Sequence, residues 1–455
     1  MVKTAAKAKK TAPVRRLYTH DNLPVLRNMD SESVDLIYLD PPFNSGKNWE
    51  RPIGGVGRKV NAAFKDTWTL GDIHADEEYA LSEAYPEARD LIEALWYING
   101  GSWKAYLIYM GARLVEMRRI LKPAGSIYYH CDPVMSHGVK LLMDAIFGSG
   151  KTKSGKSGGG YACEITWCYT TPTAPNIKRF PYHYDNILWY TKGSSWRFNR
   201  SDIRVPYSGK GPHGGNAWLK EGKTLKEWRE EKYKEGKIPS NWWADIPKAV
   251  YSSEKTDYPT QKPLALLERI IKASSNKGDL VLDPFCGCAT TMVAAEYLGR
   301  SWVGIDVSEK AAEIVIERLQ KTTHGEIPLL NPEDVVEHFR APPKRTDLPK
   351  MTDKRILKPH LYKKQDGKCV APCGKNGEGR KVDIGLMDFD HITARERGGQ
   401  SVDGNMQLLC RECNSIKGAK GMTYLSRRIL EKRTRENQEK WLETRTQKTK
   451  KWAAK

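Results

Sequence analysis

The sequence predicts an α/β fold built on a parallel sheet, followed by a small module that relies on a metal. Three observations predict it. Two apolar runs far apart in the chain, Val34–Leu39 and residues 279–282, each stop at an Asp-Pro step, Asp40-Pro41 and Asp283-Pro284. After the second step, a turn of small residues opens an alanine-rich helix, and a further apolar strand ends in Asp306. The last quarter of the chain holds four cysteines in two close pairs.

The run Val34–Leu39 alternates and reads as a buried strand. Pro41 and Pro42 end it, because proline has no N–H for a ladder and keeps the preceding residue extended. Asp40 is thereby held at the carboxyl edge of the sheet, where open α/β sheets bind ligands. A carboxylate, two exposed carbonyls and the ring of Phe43 suit the exocyclic amine of a nucleobase. Asp40 and the Pro41 carbonyl can each accept one amino hydrogen while Phe43 stacks on the ring. Alone, the motif is equally a strand followed by a proline-rich turn.

The second strand ends in Asp283-Pro284-Phe285-Cys286-Gly287, and a helix follows from about Met292. Small residues let the backbone approach a cofactor, and the helix start offers free N–H groups. Asp306 lies roughly 20 residues past the turn, the offset at which a dinucleotide fold sets a carboxylate on ribose hydroxyls. The order turn, helix, strand and acid carries more weight than the turn alone.

Composition points to a nucleic-acid partner. The chain has 455 residues and a formal net charge of +20, with 14 Trp and 21 Tyr available for base stacking. Residues 340–455 carry 29 Lys and Arg against 14 Asp and Glu, so three quarters of the excess lies in the last quarter. A module that meets phosphates is expected there. No apolar run is long enough to span a membrane, and no signal peptide is expected. The start, residues 1–14, reads as a loose basic tail.

Five cysteines are scattered through the first region, whereas Cys369 with Cys373 and Cys410 with Cys413 form two pairs about one small domain apart. That spacing suggests a tetrahedral structural zinc site. Two disulfides are the competing reading, which a reducing cytosol disfavours. So short a segment has little apolar mass, and metal would have to stabilise it.

Taken together, the first region resembles the β-class amino-group DNA methyltransferases that use S-adenosylmethionine. Asp40-Pro41-Pro42-Phe43 is similar to their catalytic motif, and Asp283, Pro284, Phe285 and Gly287 to their cofactor turn, about 240 residues later. Thr260 and Lys262, before the helical stretch 264–271, are similar to the segment preceding that turn. The resemblance implies a Rossmann-like sheet with an inserted target-recognition region at about 193–258. It places Thr260, Lys262, Asp283, Pro284, Phe285, Gly287 and Asp306 on the cofactor. Stretch 119–130 resembles a further helix, turn and strand of the same sheet, and 183–192 the strand that ends the catalytic half. One departure stands out: Gly287-Cys288-Ala289 replaces the usual Gly-Ser-Gly, adding a methyl group near the ligand. The Asp-Pro-Pro form resembles adenine-N6 more than cytosine-N4 methylation.

Between the cysteine pairs lie Asp390-His391, Asn405 and, just after Cys413, Asn414. This pattern resembles the HNH nucleases, a ββα-metal core buttressed by zinc. The resemblance implies His391 as general base, Asp390 and Asn414 as ligands of magnesium or a similar ion, and Asn405 as the residue orienting the histidine loop. Asn414 stands where the last His of the name-giving triad would be.

The expected organisation is a tail at 1–14, a methyltransferase unit at 15–340, a linker at 341–358, an HNH unit at 359–422 and a basic helical tail at 423–455. Residues 45–100 read as an insertion or lid beside the catalytic loop, or as exposed filler, and 148–160 as a mobile glycine-rich loop. The expected partner is double-stranded DNA, without a membrane and with a homodimer open. The expected location is the cytoplasm of a bacterial or archaeal host, at the nucleoid, with a phage origin included. Two functions remain: a methyltransferase fused to a nuclease in restriction-modification, or a methyltransferase whose zinc module only binds DNA.

Overall fold

The computed structural model describes residues 13–46, 49–52, 59–151, 157–170, 178, 180–207, 224–249, 261–321, 323–324, 327–328, 336–374, 378–418, 425–426, 428–436 and 438–439. Strand β1 (Arg15–Thr19) leads into α1 (Asn22–Asn28), and β2 (Val34–Leu39) runs to the Asp40 turn. A hairpin of β3 (Trp49–Pro52) and β4 (Lys59–Phe64) precedes helices α2 (Ala75–Ala84), α3 (Pro86–Asn99) and α4 (Gly101–Ile120). Next come β5 (Leu121–Cys131), α5 (Ser136–Phe147), β6 (Ser149–Lys151), β7 (Ser157–Cys168) and β8 (Tyr184–Thr191). The second half holds α6 (Leu225–Glu235), β9 (Trp242–Trp243), α7 (Leu264–Ser274), β10 (Leu280–Asp283), α8 (Thr290–Tyr297), β11 (Ser301–Asp306) and α9 (Glu309–Lys321). A short hairpin, β12 (Thr323–His324) with β13 (Ile327–Pro328), and the edge strand β14 (Glu337–Phe339) follow.

Ten of these strands form one sheet in the order β14-β1-β11-β10-β2-β5-β8-β7-β6, with β9 beside β7, and the hairpins β3-β4 and β12-β13 stand apart from it. From β14 to β5 every pairing is parallel; β8, β7 and β6 then alternate in direction. The chain leaves β2 toward β5 on one side and returns at β10 on the other. The strand order therefore reverses between β2 and β10, and ligands of open sheets bind at the carboxyl ends flanking such a reversal. Asp40 and Asp283 stand at that edge.

Period-2 alternation sends the strand residues to two cores. Ile37 and Leu39 join α1, α4 and α5 on one face, while Leu36 and Tyr38 join α7, α8 and α9 on the other. Both faces are covered, which is why the parallel strands read as nearly continuous apolar runs.

The C-terminal unit comprises α10 (Lys354–Lys364), β15 (Met387–His391), β16 (Met406–Cys410) and α11 (Arg411–Lys417). β15 and β16 pair antiparallel, with Asp390 opposite Gln407. Its core is small, centred on Leu357, Leu361, Met387, Leu408 and Leu409 with three of the cysteines. Residues 428–436 are helical, as the charged composition after Leu425 suggests.

Two expectations are corrected, and a third gains structural detail. The glycine-rich stretch 148–160 is not a free loop at its ends: β6 pairs with the start of β7, Ser149 opposite Gly160. Gly160 adopts φ 97°, and a Cβ there would meet the Gly148 carbonyl oxygen at 2.3 Å, so only glycine lets the two strands close. The acidic residues Asp76 and Glu77 are not exposed filler but buried on α2, among arginines. The expected linker is fastened down: the Thr346 N–H and hydroxyl each donate to Asp30 at 2.6 Å, and the Ser31 N–H donates to Asp347 at 3.0 Å. The tail 1–12 lies outside the described residues, as do 208–223 and 250–258 of the expected recognition region.

Candidate active sites

Asp40 follows β2 directly, with Pro41 buried and Pro42 and Phe43 half-buried. Lys262 Nζ donates to Asp40 Oδ2 at 2.6 Å and stands 5.5 Å from the centre of the Phe43 ring. Lys262, expected with the cofactor residues, is carried by the segment leading into α7 to the side of Asp40. The other oxygen, Asp40 Oδ1, is buried and has no hydrogen-bond partner among the described residues. A buried acceptor left open is costly unless something fills it. An amino hydrogen of a substrate base would.

The catalytic loop is clamped from behind by a residue the sequence did not single out. Asp66, buried, accepts the N–H of Asn44 at 2.6 Å and of Ser45 at 3.1 Å, and the Ser45 hydroxyl at 2.5 Å. Asn44 adopts φ 59°, a left-handed conformation asparagine tolerates better than most side chains. The chain thus turns sharply after Phe43.

The cofactor turn faces the same edge. Asp283 is buried, and burial pushes its carboxyl up to about 7. The Thr291 hydroxyl at 2.5 Å and the Phe285 N–H at 3.0 Å oppose that rise, while Asp40 and Asp306 add to it. Three carboxylates on adjacent strands therefore feel one another. Asp306 is likewise raised by burial, against hydrogen bonds from the Ser308 and Gly287 N–H groups at 2.9 and 3.0 Å. The Val307 N–H adds a third hydrogen bond, which leaves the carboxylate one acceptor direction for a hydroxyl group. The Pro284 carbonyl accepts from Asn22 Nδ2 at 2.8 Å, so the start of α1 holds the turn. Ala289 caps α8 at φ 73°, the left-handed region that glycine normally fills. Thr260 lies outside the described residues. A bend of small residues between two acids fits a cationic donor with a ribose arm.

In the C-terminal unit, ligand atoms of Cys369, Cys373, Cys410 and Cys413 all lie within 4.8 Å of one another. Such a four-thiol set suits structural zinc, and none of the four is in a disulfide. The Cys413 thiol, helped by the Cys410 N–H, brings Cys369 down to about 5 against the effect of burial, toward the thiolate that zinc needs. Arg380 Nη2 lies 3.2 Å from Cys410 Sγ and adds positive charge.

His391 ends β15. Burial and then the Arg395 charge lower its pKa, Lys417 and Lys354 acting in the same direction against Asp390, which keeps the imidazole neutral at neutral pH. Its Nε2 lies 3.1 Å from Ser401 Oγ. Asn405 closes the loop after it: Oδ1 accepts the Thr393 N–H at 2.8 Å, and Nδ2 donates to the Thr393 and Gln400 carbonyls at 3.1 and 2.8 Å. Both oxygens of Asp390 have a partner. Lys417 Nζ, itself buried, donates to Oδ1 at 2.7 Å, and Gln407 Nε2 donates to Oδ2 at 2.6 Å. Asn414 is half-buried on α11. A divalent ion on Asp390 would displace the Lys417 ammonium from Oδ1.

The two units touch through charge. Arg397, six residues after His391, donates to Glu77 Oε1 at 2.9 Å and to Asp76 Oδ2 at 3.2 Å. Arg27 of α1 donates both to Asp76 at 3.1 Å and to the Arg397 carbonyl at 2.8 Å.

A family profile described as DNA methylase matches residues 34–317, and one described as HNH endonuclease matches 369–420. The DNA adenine methyltransferase YhdJ of Escherichia coli K12 is 30% identical over 314 residues, 67% of this chain and 82% of that protein. The type II methyltransferase M.HpaI of Haemophilus parainfluenzae is 29% identical over 313 residues, 68% of this chain and 76% of that protein. Among solved structures, TTHA0409 of Thermus thermophilus, a putative DNA modification methylase complexed with S-adenosyl-L-methionine, aligns with a TM-score of 0.41 at 20% identity, over 72% of this chain and 98% of that one. The protein belongs to the N6/N4 family of DNA methylases and carries an HNH endonuclease domain after its methyltransferase sheet.

Proposed function

We propose that the protein methylates the N6 amine of adenine in duplex DNA and that its C-terminal unit supplies the cleaving partner of a restriction-modification pair. The observation that carries the methylation reading is the open, buried Asp40 Oδ1 beside Lys262, on an edge shared with Asp283 and Asp306. An amine inside a duplex cannot reach a methyl donor, so the base is extruded first. Asp40 Oδ1 and the Pro41 carbonyl accept its two hydrogens, and Phe43 stacks on the ring. These contacts favour a pyramidal nitrogen and aim its lone pair, so positioning supplies most of the acceleration. S-adenosylmethionine, when bound, supplies the methyl group; Asp283, Pro284, Phe285, Gly287 and Asp306 are the residues that hold it. Adenine is favoured by the Asp-Pro-Pro form and by the adenine specificity named for the Escherichia coli relative.

The same reading assigns 15–340 to methylation, about 193–258 to sequence recognition, 341–358 to the connection, 359–422 to the nuclease and 423–455 to phosphate contact. It places the enzyme in the cytoplasm at the nucleoid, with a homodimer as one of its forms. No described helix is long and apolar enough to cross a membrane. Within the nuclease unit, His391 is the base, Asn405 fixes its loop, and Asp390 with Asn414 is the expected seat of magnesium. A second reading, in which the zinc unit binds DNA without cutting, is favoured by one observation: Lys417 and Gln407 occupy both oxygens of Asp390.

Base-modification sequencing of DNA from a host expressing the chain tests the first part. N6-methyladenine at one recurring sequence is expected; N4-methylcytosine would overturn the adenine assignment. Magnesium-dependent cutting of unmodified plasmid, lost in His391→Ala, is expected of the nuclease, and no cutting under any metal or methylation state would leave the binding reading.

A further inference from the structure

His130 has no part in the chemistry above, yet it lies directly behind it. It sits on β5 with its side chain fully buried. Its ring lies nearly parallel to that of Phe43, centroids 6.2 Å apart at 15°. Trp167 of β7 meets it edge-on at 5.8 Å and 81°.

Two hydrogen bonds fix this ring. Nε2 lies 3.1 Å from Asp185 Oδ2 on β8, and Nδ1 lies 2.9 Å from the Tyr38 hydroxyl on β2. The Asp185 carboxylate can only accept, so Nε2 carries a proton toward it, while Nδ1 and the Tyr38 hydroxyl share the second hydrogen bond. The other oxygen of Asp185 accepts the Tyr169 hydroxyl at 2.9 Å, and Lys248 Nζ covers the Tyr169 ring at 3.7 Å. His130 cannot turn without leaving buried donors and acceptors unmade, which is expensive. Phe43 has no such anchor. Its side chain has no polar atom, it follows two prolines, and its orientation depends on what it packs against.

We infer that His130, locked by Tyr38 and Asp185, is a positioning residue for methyl transfer: it sets the plane of the Phe43 ring on which the extruded base stacks. The inference rests on the reading of Phe43 as the stacking platform. The lock draws on three strands, β2 through Tyr38, β5 through His130 and β8 through Asp185. The platform is thereby tied to the framework of the sheet, although the loop bearing it is not itself part of a strand. A base tilted on a misaligned ring would present its amine off the line to the methyl group. A misplacement of about 1 Å costs about 100-fold in rate.

The test uses the full chain with Tyr38→Phe, Asp185→Asn and His130→Gln, without added divalent metal so that the DNA stays whole. S-adenosylmethionine affinity is measured by calorimetry, and kcat and KM for DNA by methyl transfer. Stacking is followed by the emission of 2-aminopurine placed at the target position of an oligonucleotide carrying the mapped methylation site. The expected result is unchanged donor affinity, kcat lowered about 10- to 100-fold, and brighter 2-aminopurine as the flipped base loses its stacking partner. Tyr38→Phe deletes a single hydroxyl and carries the test if His130→Gln fails to fold. Wild-type kcat and emission in folded variants would overturn the inference. A fall in donor affinity parallel to kcat would also overturn it, reducing the network to general support. Absence of methyl transfer by the wild-type chain would overturn the site reading itself.

Discussion

Lys262 Nζ lies 2.6 Å from Asp40 Oδ2, joining residues 222 positions apart in sequence. The pair divides the labour of one carboxylate: Oδ2 is neutralised, and Oδ1 is left open for the substrate. Lys262→Met should therefore lower kcat about 10- to 100-fold by freeing Asp40 to rotate, with S-adenosylmethionine affinity retained. Steady-state methylation with calorimetry of donor binding checks it. A loss confined to donor affinity would return Lys262 to the cofactor residues.

Asp283 makes the enzyme sensitive to pH. Its ordinary value is 3.8 and burial raises it to about 7 in the folded protein. The native state therefore holds a proton that the unfolded chain releases. The resulting stability is complete at low pH and is lost as pH rises through about 7. Asp283→Asn should remove this dependence and raise stability at pH 8 by a few kcal/mol, because each tenfold change in proton affinity is worth about 1.4 kcal/mol. Thermal unfolding of the donor-free protein at pH 6 and pH 8 measures it, and identical slopes for both proteins would contradict the assignment.

Ala289 carries a cost in its backbone. A left-handed φ of 73° in a residue with a Cβ costs about 1–2 kcal/mol. Ala289→Gly should recover about 1 kcal/mol, a little being returned through the greater freedom of the unfolded chain. Chemical denaturation shows it as a higher midpoint with the same slope. A lower midpoint would mean that the Ala289 methyl group contributes more by packing.

The parts of this architecture that were legible in the sequence are those whose signal is local. Asp40 and Asp283 could be placed because an apolar run and a proline mark the end of a strand within a few residues. The four cysteines could be placed because zinc imposes short ligand spacings. His130, Asp185 and Asp66 were not legible, although stretches containing the first two were recognised as strands. Their roles depend on strand order and register, which bring β2, β5 and β8 side by side. Asp76 and Glu77 misled for a related reason. A run of acids reads as solvated when its partners, Arg27 and Arg397, are 49 and 320 residues away. Lys417 on Asp390 was missed because the motif reading gave Asp390 to a metal.

That acidic pair fastens the nuclease unit. Asp76 and Glu77 have side chains only 4% and 3% exposed, and Arg397 is the partner arriving from the other unit. Arg397→Ala would leave buried acids short of a counter-charge, a loss of about 3 kcal/mol in a buried pair. Differential scanning calorimetry should then resolve a separate, earlier transition for the C-terminal unit. A single transition at the wild-type temperature would show that the contact adds nothing to docking.

The most direct measurement follows the methyl group itself. The full chain is incubated with duplex DNA and S-adenosylmethionine carrying a radiolabelled methyl group, beside Asp40→Ala, and label is counted in purified DNA. Label in DNA with the wild-type chain and none with Asp40→Ala is the predicted result. Label found in protein or RNA in place of DNA, or undiminished label with Asp40→Ala, would contradict it.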